Sequence, residues 1–161
     1  MAPTDPGFSP APLQFGVADP GVDYKDRPAA FGVAERDGRI AVVRVTKPGL
    51  GSWIDLPGGA VDPGEDERAA LVREFGEETG LKVASGPLIS RADQYFRKTD
   101  GDPVNNRSGL FNAEIVGEDP ALKIEDDHEL VWLEPAEATR RLRHDSHAWA
   151  VLAWLRDRPA P

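Results

Sequence analysis

The segment from residue 57 to residue 81 constrains the fold of this chain more than any other part of the sequence. It opens with Pro57-Gly58-Gly59, which ends an apolar run, and it closes at Gly80. Asp66 is a favoured N-cap residue, and glycine is the usual residue where a helix ends in the left-handed conformation. Between these positions three apolar residues share one helical face, Leu71, Val72 and Phe75. The segment therefore predicts a tight loop followed by a helix with one buried side.

Apolar runs before and after this segment predict strands. With the turn signal Asp37-Gly38, the predicted strands are residues 13–17, 31–33, 40–45, 53–56, 87–96, 109–116 and 130–133. Two further helices are predicted at residues 135–142 and 146–156, and a polar loop at residues 98–106. This order predicts an α/β (α+β) chain in which a mixed β-sheet is sandwiched between helices.

The composition changes near residue 28. Residues 1–30 contain six Pro and three Gly, so residues 1–27 predict an irregular N-terminal arm and residues 28–161 a single domain. The absence of cysteine excludes a disulfide scaffold, a thiolate zinc site and a cysteine nucleophile. The longest apolar run is eight residues, 148–155, far fewer than the roughly 20 that span a bilayer. We therefore expect a cytoplasmic protein with no membrane partner.

The charge is strongly acidic and unevenly distributed. The chain has 28 acidic and 19 basic residues, so its net charge is 19 − 28 = −9. Residues 59–81 hold seven acids and two bases, and residues 118–137 hold eight acids and one base. A protein that binds nucleic-acid backbones needs an excess of cations, so we expect no stable nucleic-acid partner.

The first acidic segment places its carboxylates on one side of the predicted helix. At 100° per residue, Glu74, Glu77 and Glu78 fall within an arc of about 100°, together with Glu67 one and a half to two turns earlier. Carboxylates this close repel one another unless a cation lies between them. Mg²⁺ and Mn²⁺ prefer such oxygen ligands. The spacing alone also fits a solvated acidic helix face.

The residues of this segment also stand at the spacing of one motif: Gly59, Glu65, Arg73, Glu74, Phe75, Glu77, Glu78, Gly80 and Leu81. They match GX5EX7REUXEEXGU, so the segment resembles the complete box of the Nudix (MutT-like) hydrolase family. The order of predicted elements extends the resemblance over about residues 28–157. The resemblance implies a Nudix fold and a pyrophosphohydrolase that depends on Mg²⁺, with Mn²⁺ as the alternative ion.

The resemblance also implies a role for each matching residue. The metal ligands would be Glu74, Glu77 and Glu78, joined by the backbone carbonyl of Gly59. Glu74 or Glu77 is alternatively the base that deprotonates the attacking water. Arg73 would pair with the acids of the loop and helix and hold the catalytic carboxylates. Supporting roles fall to Gly58, Glu65 and Gly80.

Residues outside the box supply further candidates, each with an ordinary structural alternative. Glu129, or Asp126 as second choice, is a candidate loop ligand or general base, the alternative being a solvated acidic loop. Arg44 is a candidate phosphate contact, the alternative being a surface charge. Tyr95, next to Phe96, could stack on a base, the alternative being core packing. Three residues near the last helix are also interpreted: His144 and His147 as surface groups, and Trp149 as core or as a homodimer contact.

These features predict cleavage of a phosphoanhydride bond in a nucleoside diphosphate linked to another moiety. The leading substrate is a nucleoside triphosphate, or an oxidised deoxynucleoside triphosphate, cleaved to monophosphate and pyrophosphate. An ADP-sugar and a dinucleoside polyphosphate are the alternative substrates. Two other classes stay open: a non-catalytic Nudix-like nucleotide-binding module, and an acidic interaction protein with a metal-stabilised helix.

Overall fold

The computed structural model describes residues 13–159. Residues 1–12 of the predicted arm and residues 160–161 of the predicted domain lie outside that range. The strands are β1 (Leu13–Phe15), β2 (Lys25–Val33), β3 (Glu35–Arg36), β4 (Arg39–Lys47), β5 (Gly51–Asp55), β6 (Gly58–Ala60), β7 (Leu81–Arg97), β8 (Pro103–Glu118) and β9 (His128–Leu133). The helices are α1 (Glu67–Thr79), α2 (Pro135–Arg141) and α3 (Asp145–Arg156), with a 3-10 helix at Pro120–Leu122.

The strands form two sheets that share the core. The larger sheet has the order β1-β7-β8-β2-β6, and it is mixed because β1 runs parallel to β7 and β2 runs parallel to β8. In the smaller sheet β4 pairs antiparallel with β3, β5 and β9. The short strand β6 pairs with β2 and leads directly into the loop before α1. The topology therefore places that loop next to β2, at one edge of the larger sheet.

Strand alternation sends side chains into two apolar clusters on opposite faces of the sheets. On β2, Phe31 lies in a cluster with Trp154 of α3, whereas its neighbour Ala30 lies in a second cluster with Leu71 and Phe75 of α1. Neighbouring residues of a strand point to opposite faces, so helices cover both sides. The prediction of a mixed β-sheet sandwiched between helices is confirmed.

The helix α1 has the predicted ends but a different buried stripe. The Asp66 carboxylate accepts the Ala69 N–H at 2.8 Å, and Gly80 adopts φ 74° at the C-terminus. Leu71 and Phe75 are fully buried, but Val72 is 41% exposed, so its predicted burial is wrong. Val72 lies about 100° around the helix from Leu71, on the side away from the carboxylates, so the buried stripe is narrower than predicted.

The long hairpin of β7 and β8 extends well beyond the predicted strands. The predicted polar loop at 98–106 is reduced to the residues between Arg97 and Pro103, because Asn105 and Asn106 are buried strand residues. The Asn105 amide hydrogen-bonds to the Gln14 side chain of β1. The end of the predicted arm is likewise ordered, since β1 and the first residues of β2 fall before residue 28. No helix of the described residues is long and apolar enough to cross a membrane.

Candidate active site

The loop before α1 lies directly against the box helix because two glycines permit it. Gly58 has φ 141°, and a Cβ atom there would overlap the carbonyl oxygen of Ala30 on β2. A Cβ atom at Gly59 would lie 2.8 Å from the carboxyl carbon of Glu74. Any larger residue at either position would push the loop away from the strand or from the carboxylate. The roles predicted for these glycines therefore have a steric basis here.

Glu78 is the deepest carboxylate of the site. Its side chain is 4% exposed, its Oε1 accepts the Gly58 N–H at 3.0 Å, and its Oε2 lies 3.2 Å from His128 Nε2. Burial raises the pKa of Glu78 well above the ordinary value, and the nearby charge of Glu74 raises it further. The hydrogen bond from the Gly58 N–H lowers the pKa of Glu78 and so opposes these two effects. Glu78 is thus an orientated carboxylate whose negative charge is poorly compensated.

Arg73 organises the remaining carboxylates. Its Nη1 donates to Glu74 Oε1 at 3.0 Å and to Glu77 Oε2 at 3.1 Å. Its Nε and Nη2 donate to the two oxygens of Glu65 at 3.1 and 2.6 Å, and Nη2 also reaches the Ala60 carbonyl at 3.0 Å. The hydrogen bonds to Glu65, ahead of those to Glu74, raise the pKa of Arg73. Arg73 is therefore paired with acids of both the loop and the helix, which is the pairing that was predicted.

The donor set of these residues fits a hard divalent cation. Burial raises the pKa of Glu74, and Arg73 only partly opposes that shift. The buried Glu78 and the half-buried Glu74, both with raised pKa values, lie beside Glu77, and among the described residues Arg73 is the one arginine that pairs with Glu74 and Glu77. These three carboxylates therefore outnumber the positive charge that faces them. Mg²⁺ and Mn²⁺ prefer such oxygens. By contrast, Glu67 on the same helix pairs with Arg91 at 2.7 Å and does not join the set.

The second acidic segment reaches the site through a residue that the sequence did not single out. Because successive strand residues face opposite ways, His128 points to Glu78, whereas Glu129 faces Arg44, with 3.1 Å between Glu129 Oε2 and Arg44 Nη1. The Glu129 side chain is 65% exposed, and Asp126 is exposed too. The structure thus brings His128, and neither predicted acid, to the box carboxylates.

A cleft of about 210 Å³ opens beside the box loop. Gly58, Gly59 and His128 form its border with the carboxylates. Other residues of its wall come from several strands and from the start of α3, among them Arg27, Trp53, Phe96, Asn106, Arg143 and His144. The predicted contacts Arg44 and Tyr95 do not line it. Tyr95 instead packs edge-on against Tyr24, with ring centroids 5.0 Å apart.

One wall of the cleft is built around Arg143. Its guanidinium lies 4.6 Å from the Trp53 ring centroid and 5.7 Å from that of Phe96. It also donates to both oxygens of Asp55, at 3.1 and 2.7 Å. Burial raises the pKa of Asp55, and Arg143 opposes that rise. Trp53 Nε1 is buried as well, and the Trp53 N–H also acts against the rise in the pKa of Asp55.

Arg27 is the cation on the opposite wall, and it was missed because it lies in the predicted arm. Its Nη1 donates to Asn106 Oδ1 at 3.0 Å. Among the described residues no carboxylate forms an ion pair with it. Burial lowers the pKa of Arg27, and the charge of Glu74 acts against that change. Arg27 is thus a half-buried cation that no ion pair compensates within residues 13–159, although the charge of Glu74 acts on it from a distance.

The two histidines near α3 were predicted at the surface, and that prediction is wrong. His144 is 6% exposed and His147 is 2% exposed. The Leu56 N–H donates to His147 Nδ1 at 3.2 Å, which ties α3 to the strand that precedes the box loop. Burial lowers the pKa of His144 to about 3 and that of His147 well below its usual value. Both imidazoles are therefore neutral at neutral pH, and their nearness to an apolar helix was the signal for burial.

Comparisons with known proteins agree with this geometry. A family model described as the NUDIX domain matches residues 24–155. The chain is 33% identical to an RNA pyrophosphohydrolase of Sphingopyxis alaskensis over 60% of this chain and 67% of that protein. It is 36% identical to a putative 8-oxo-dGTP diphosphatase 2 of Mycobacterium tuberculosis over 61% of this chain and 65% of that protein. The matched region thus spans about two thirds of these relatives.

The fold has a counterpart among solved structures. A NUDIX hydrolase from Nitrosomonas europaea superimposes with a TM-score of 0.70, covering 85% of this chain and 93% of that protein at 20% identity. The two proteins therefore share a fold.

Proposed function

Because the chain belongs to the Nudix family of hydrolases, we propose that it is a divalent-metal-dependent pyrophosphohydrolase. It would cleave a phosphoanhydride bond in a nucleoside diphosphate linked to another moiety. One observation carries the proposal: the carboxylates Glu74, Glu77 and Glu78 are intact and meet the glycine loop at the border of a cleft. A non-catalytic binding module would have no need to keep all three.

The residues of the site would divide the work of the reaction. Glu74, Glu77 and Glu78 would hold the ion, together with the carbonyl of Gly59. When bound, Mg²⁺ or Mn²⁺ supplies positive charge for the phosphate oxygens and lowers the pKa of a water. Arg73 keeps Glu74 and Glu77 at fixed separation. Either of these two glutamates would accept the proton of the attacking water. Such hydrolysis depends mainly on positioning and on charge stabilisation.

The proposed substrate contacts follow the cleft. Arg27 forms no ion pair within residues 13–159 and lies on the cleft wall, so it suits a phosphate oxygen better than Arg44, which is paired with Glu129. Phe96 and Trp53 present aromatic surface beside Arg143, so they suit a base better than Tyr95, which packs on Tyr24.

The leading substrate is a nucleoside triphosphate or its oxidised deoxy form. Both relatives described above are named for action on nucleotides or RNA, and one is named for 8-oxo-dGTP. These names support the leading substrate, and an ADP-sugar remains the alternative.

Two further features belong to the same proposal. We expect the protein to work in the cytoplasm, where free nucleotides are found. Trp149 is 36% exposed and Leu152 is 52% exposed on α3, so this side of the helix is the proposed homodimer contact. A molar mass measured by light scattering tests it, and a monomer at micromolar concentration contradicts it.

One panel of assays tests the activity. Wild-type protein is incubated with nucleoside triphosphates, 8-oxo-dGTP, an ADP-sugar and a dinucleoside polyphosphate, each with Mg²⁺ or Mn²⁺. We expect monophosphate and pyrophosphate from the triphosphates. Glu78→Gln keeps the shape of the side chain but removes its charge, so it should lower the rate by at least about 100-fold. Absence of turnover on every compound, or full activity of Glu78→Gln, would refute the proposed site.

A further inference from the structure

The carboxylate of Glu78 is held at both oxygens. The Gly58 N–H donates to Oε1 at 3.0 Å, and His128 Nε2 stands 3.2 Å from Oε2. The side chains of Glu78 and His128 are 4% and 18% exposed, so water has little access to this contact. Removing His128 would leave one oxygen of a buried carboxylate without its protein partner and would free the group to rotate.

His128 is itself fixed from behind. Its Nδ1 lies 2.7 Å from Asp127 Oδ1, and the other oxygen of Asp127 is paired with Lys47. Lys47, ahead of His128, lowers the pKa of Asp127 to about 2, so this carboxylate stays ionised at neutral pH. A carboxylate that accepts a hydrogen bond from one ring nitrogen fixes the orientation of an imidazole, and the other ring nitrogen of His128 faces Glu78. These contacts form a continuous series of side chains, Lys47–Asp127–His128–Glu78, which runs from the end of β4 to the box helix.

The backbone around His128 is fastened to the two elements that this row connects. The N–H groups of Ile124 and Glu125 both donate to the Glu77 carbonyl, at 2.9 and 3.0 Å. That carbonyl lies in the last turn of α1, where helical partners run out. At the other end, the Thr46 N–H donates to the Asp127 carbonyl at 3.0 Å. Residues 124–128 thus form a strap between α1 and β4.

We propose that His128, oriented by Asp127, is a positioning residue that holds Glu78 in the orientation in which it binds the metal ion. The inference rests on the proposed function, because it concerns one ligand of the proposed metal site. It also explains why the second acidic segment lies beside the first: its main contribution is a side chain that fixes a box carboxylate.

Direct metal binding by the strap is the competing explanation. Ligand atoms of Glu125, Asp127 and His128 lie within 4.8 Å of one another. However, Lys47 occupies one oxygen of Asp127, and His128 occupies the other. The nitrogen of His128 that is not turned to Asp127 faces Glu78. The two groups would have to abandon both contacts to bind an ion of their own, so the positioning role accounts for the geometry better.

A double-mutant cycle on metal binding separates the two explanations. The variants are His128→Ala, Glu78→Gln and the double variant, and the readout is the Mn²⁺ dissociation constant from the EPR signal of the free ion, without substrate. Loss of an orienting partner typically weakens metal binding about 10- to 100-fold. We expect that loss for His128→Ala, and little further loss when it is added to Glu78→Gln, because His128 acts through Glu78.

Matched variants complete the design. His128→Gln retains a side-chain N–H and should recover part of the affinity. Asp23→Asn removes an exposed acid from the loop between β1 and β2 and should leave affinity unchanged. Independent, additive losses in the cycle would instead assign direct ligation to His128, and wild-type affinity in His128→Ala would exclude any role; either result overturns the inference. Wild-type protein that binds no Mn²⁺ would overturn the proposed function and this inference together.

Discussion

Replacement of Arg73 by lysine tests whether the geometry of a guanidinium, and not its charge alone, organises the box. Arg73 donates to Glu65, Glu74, Glu77 and the Ala60 carbonyl through all three of its nitrogens. An ammonium group has the same charge but cannot reach groups on both sides of the helix. Lysine should therefore preserve the attraction to one or two carboxylates and release the others.

The size of the effect follows from the contacts and their exposure. Lysine would lose about three charge-assisted hydrogen bonds, each worth about 1.5–3 kcal/mol when buried. The Arg73 side chain is 28% exposed, so solvent screening reduces each contribution to about 0.5–1 kcal/mol. We expect a loss of about 2 kcal/mol in unfolding free energy, which lowers Tm by about 4–8 °C in a chain of this size. Displaced carboxylates should lower kcat/KM by about 10- to 100-fold.

A matched control for this substitution is Arg91 of β7, which forms an ion pair with Glu67 of the same helix. Arg91 donates to both oxygens of Glu67 at 2.8 and 2.7 Å, but it is exposed and away from the box. Arg91→Lys should change Tm by less than about 2 °C, because exposed ion pairs contribute little. Thermal unfolding and steady-state hydrolysis are measured for both variants. If Arg73→Lys matched Arg91→Lys in both assays, the fork geometry of Arg73 would have no part in the site.

Three further predictions concern charge at buried positions. The raised pKa of Glu78 means that the metal-free protein loses stability as the pH rises above 4.5, the ordinary pKa of a glutamate. Glu78→Gln should therefore unfold at a higher Tm than wild type at pH 8, and the difference should vanish towards pH 4. A difference in Tm that stays constant with pH would contradict the raised pKa of Glu78. The pKa of His144 is lowered in the folded protein, so as the pH drops this imidazole takes up a proton in the unfolded chain before it does so in the folded one. The free energy of unfolding should therefore fall as the pH drops from about 6.5 towards about 3. His144→Phe should flatten that decline in acid-dependent thermal unfolding, and an unchanged slope would count against it. Arg27→Ala should raise KM for a nucleoside triphosphate about 10-fold, whereas Arg44→Ala should change it less than twofold, and equal effects would remove Arg27 from the cleft contacts.

The box helix could be predicted from sequence because its determinants are local. Asp66 and Gly80 act within one turn of the helix ends, and Gly58 and Gly59 act through backbone conformation and close approach. The two capping effects are decided by residues a few positions apart, whereas Gly58 and Gly59 are required by contacts with Ala30 and Glu74, 28 and 15 positions away. The carboxylate spacing of the helix is likewise fixed by its own geometry. Local rules therefore sufficed for the part of the site that lies on one element.

The rest of the site depends on strand register, which no local rule supplies. Whether His128 or Glu129 faces Glu78 is decided by the pairing of β9 with β4, in which Glu129 lies opposite Arg44. A shift of one residue would exchange the two faces. The same pairing removes Arg44 from the cleft. The candidate Glu129 is thus one position from His128, which faces the site. The candidate Arg44 lies opposite Glu129 in the smaller sheet and turns away from the site with it.

Register also resolves how so acidic a chain can receive a polyanion. Arg27 and Arg143 both line the cleft, where Arg143 is paired with Asp55, while the carboxylates of Glu74 and Glu78 lie behind the glycine loop. Arg27, which forms no ion pair within residues 13–159, and the box carboxylates therefore lie on different elements, β2 and α1. A phosphoanhydride held by Arg27 on the cleft side would need positive charge on the carboxylate side before it could approach. The metal requirement thus follows from charge placement, and a substrate should bind the metal-free protein weakly, with affinity that rises when Mn²⁺ is added.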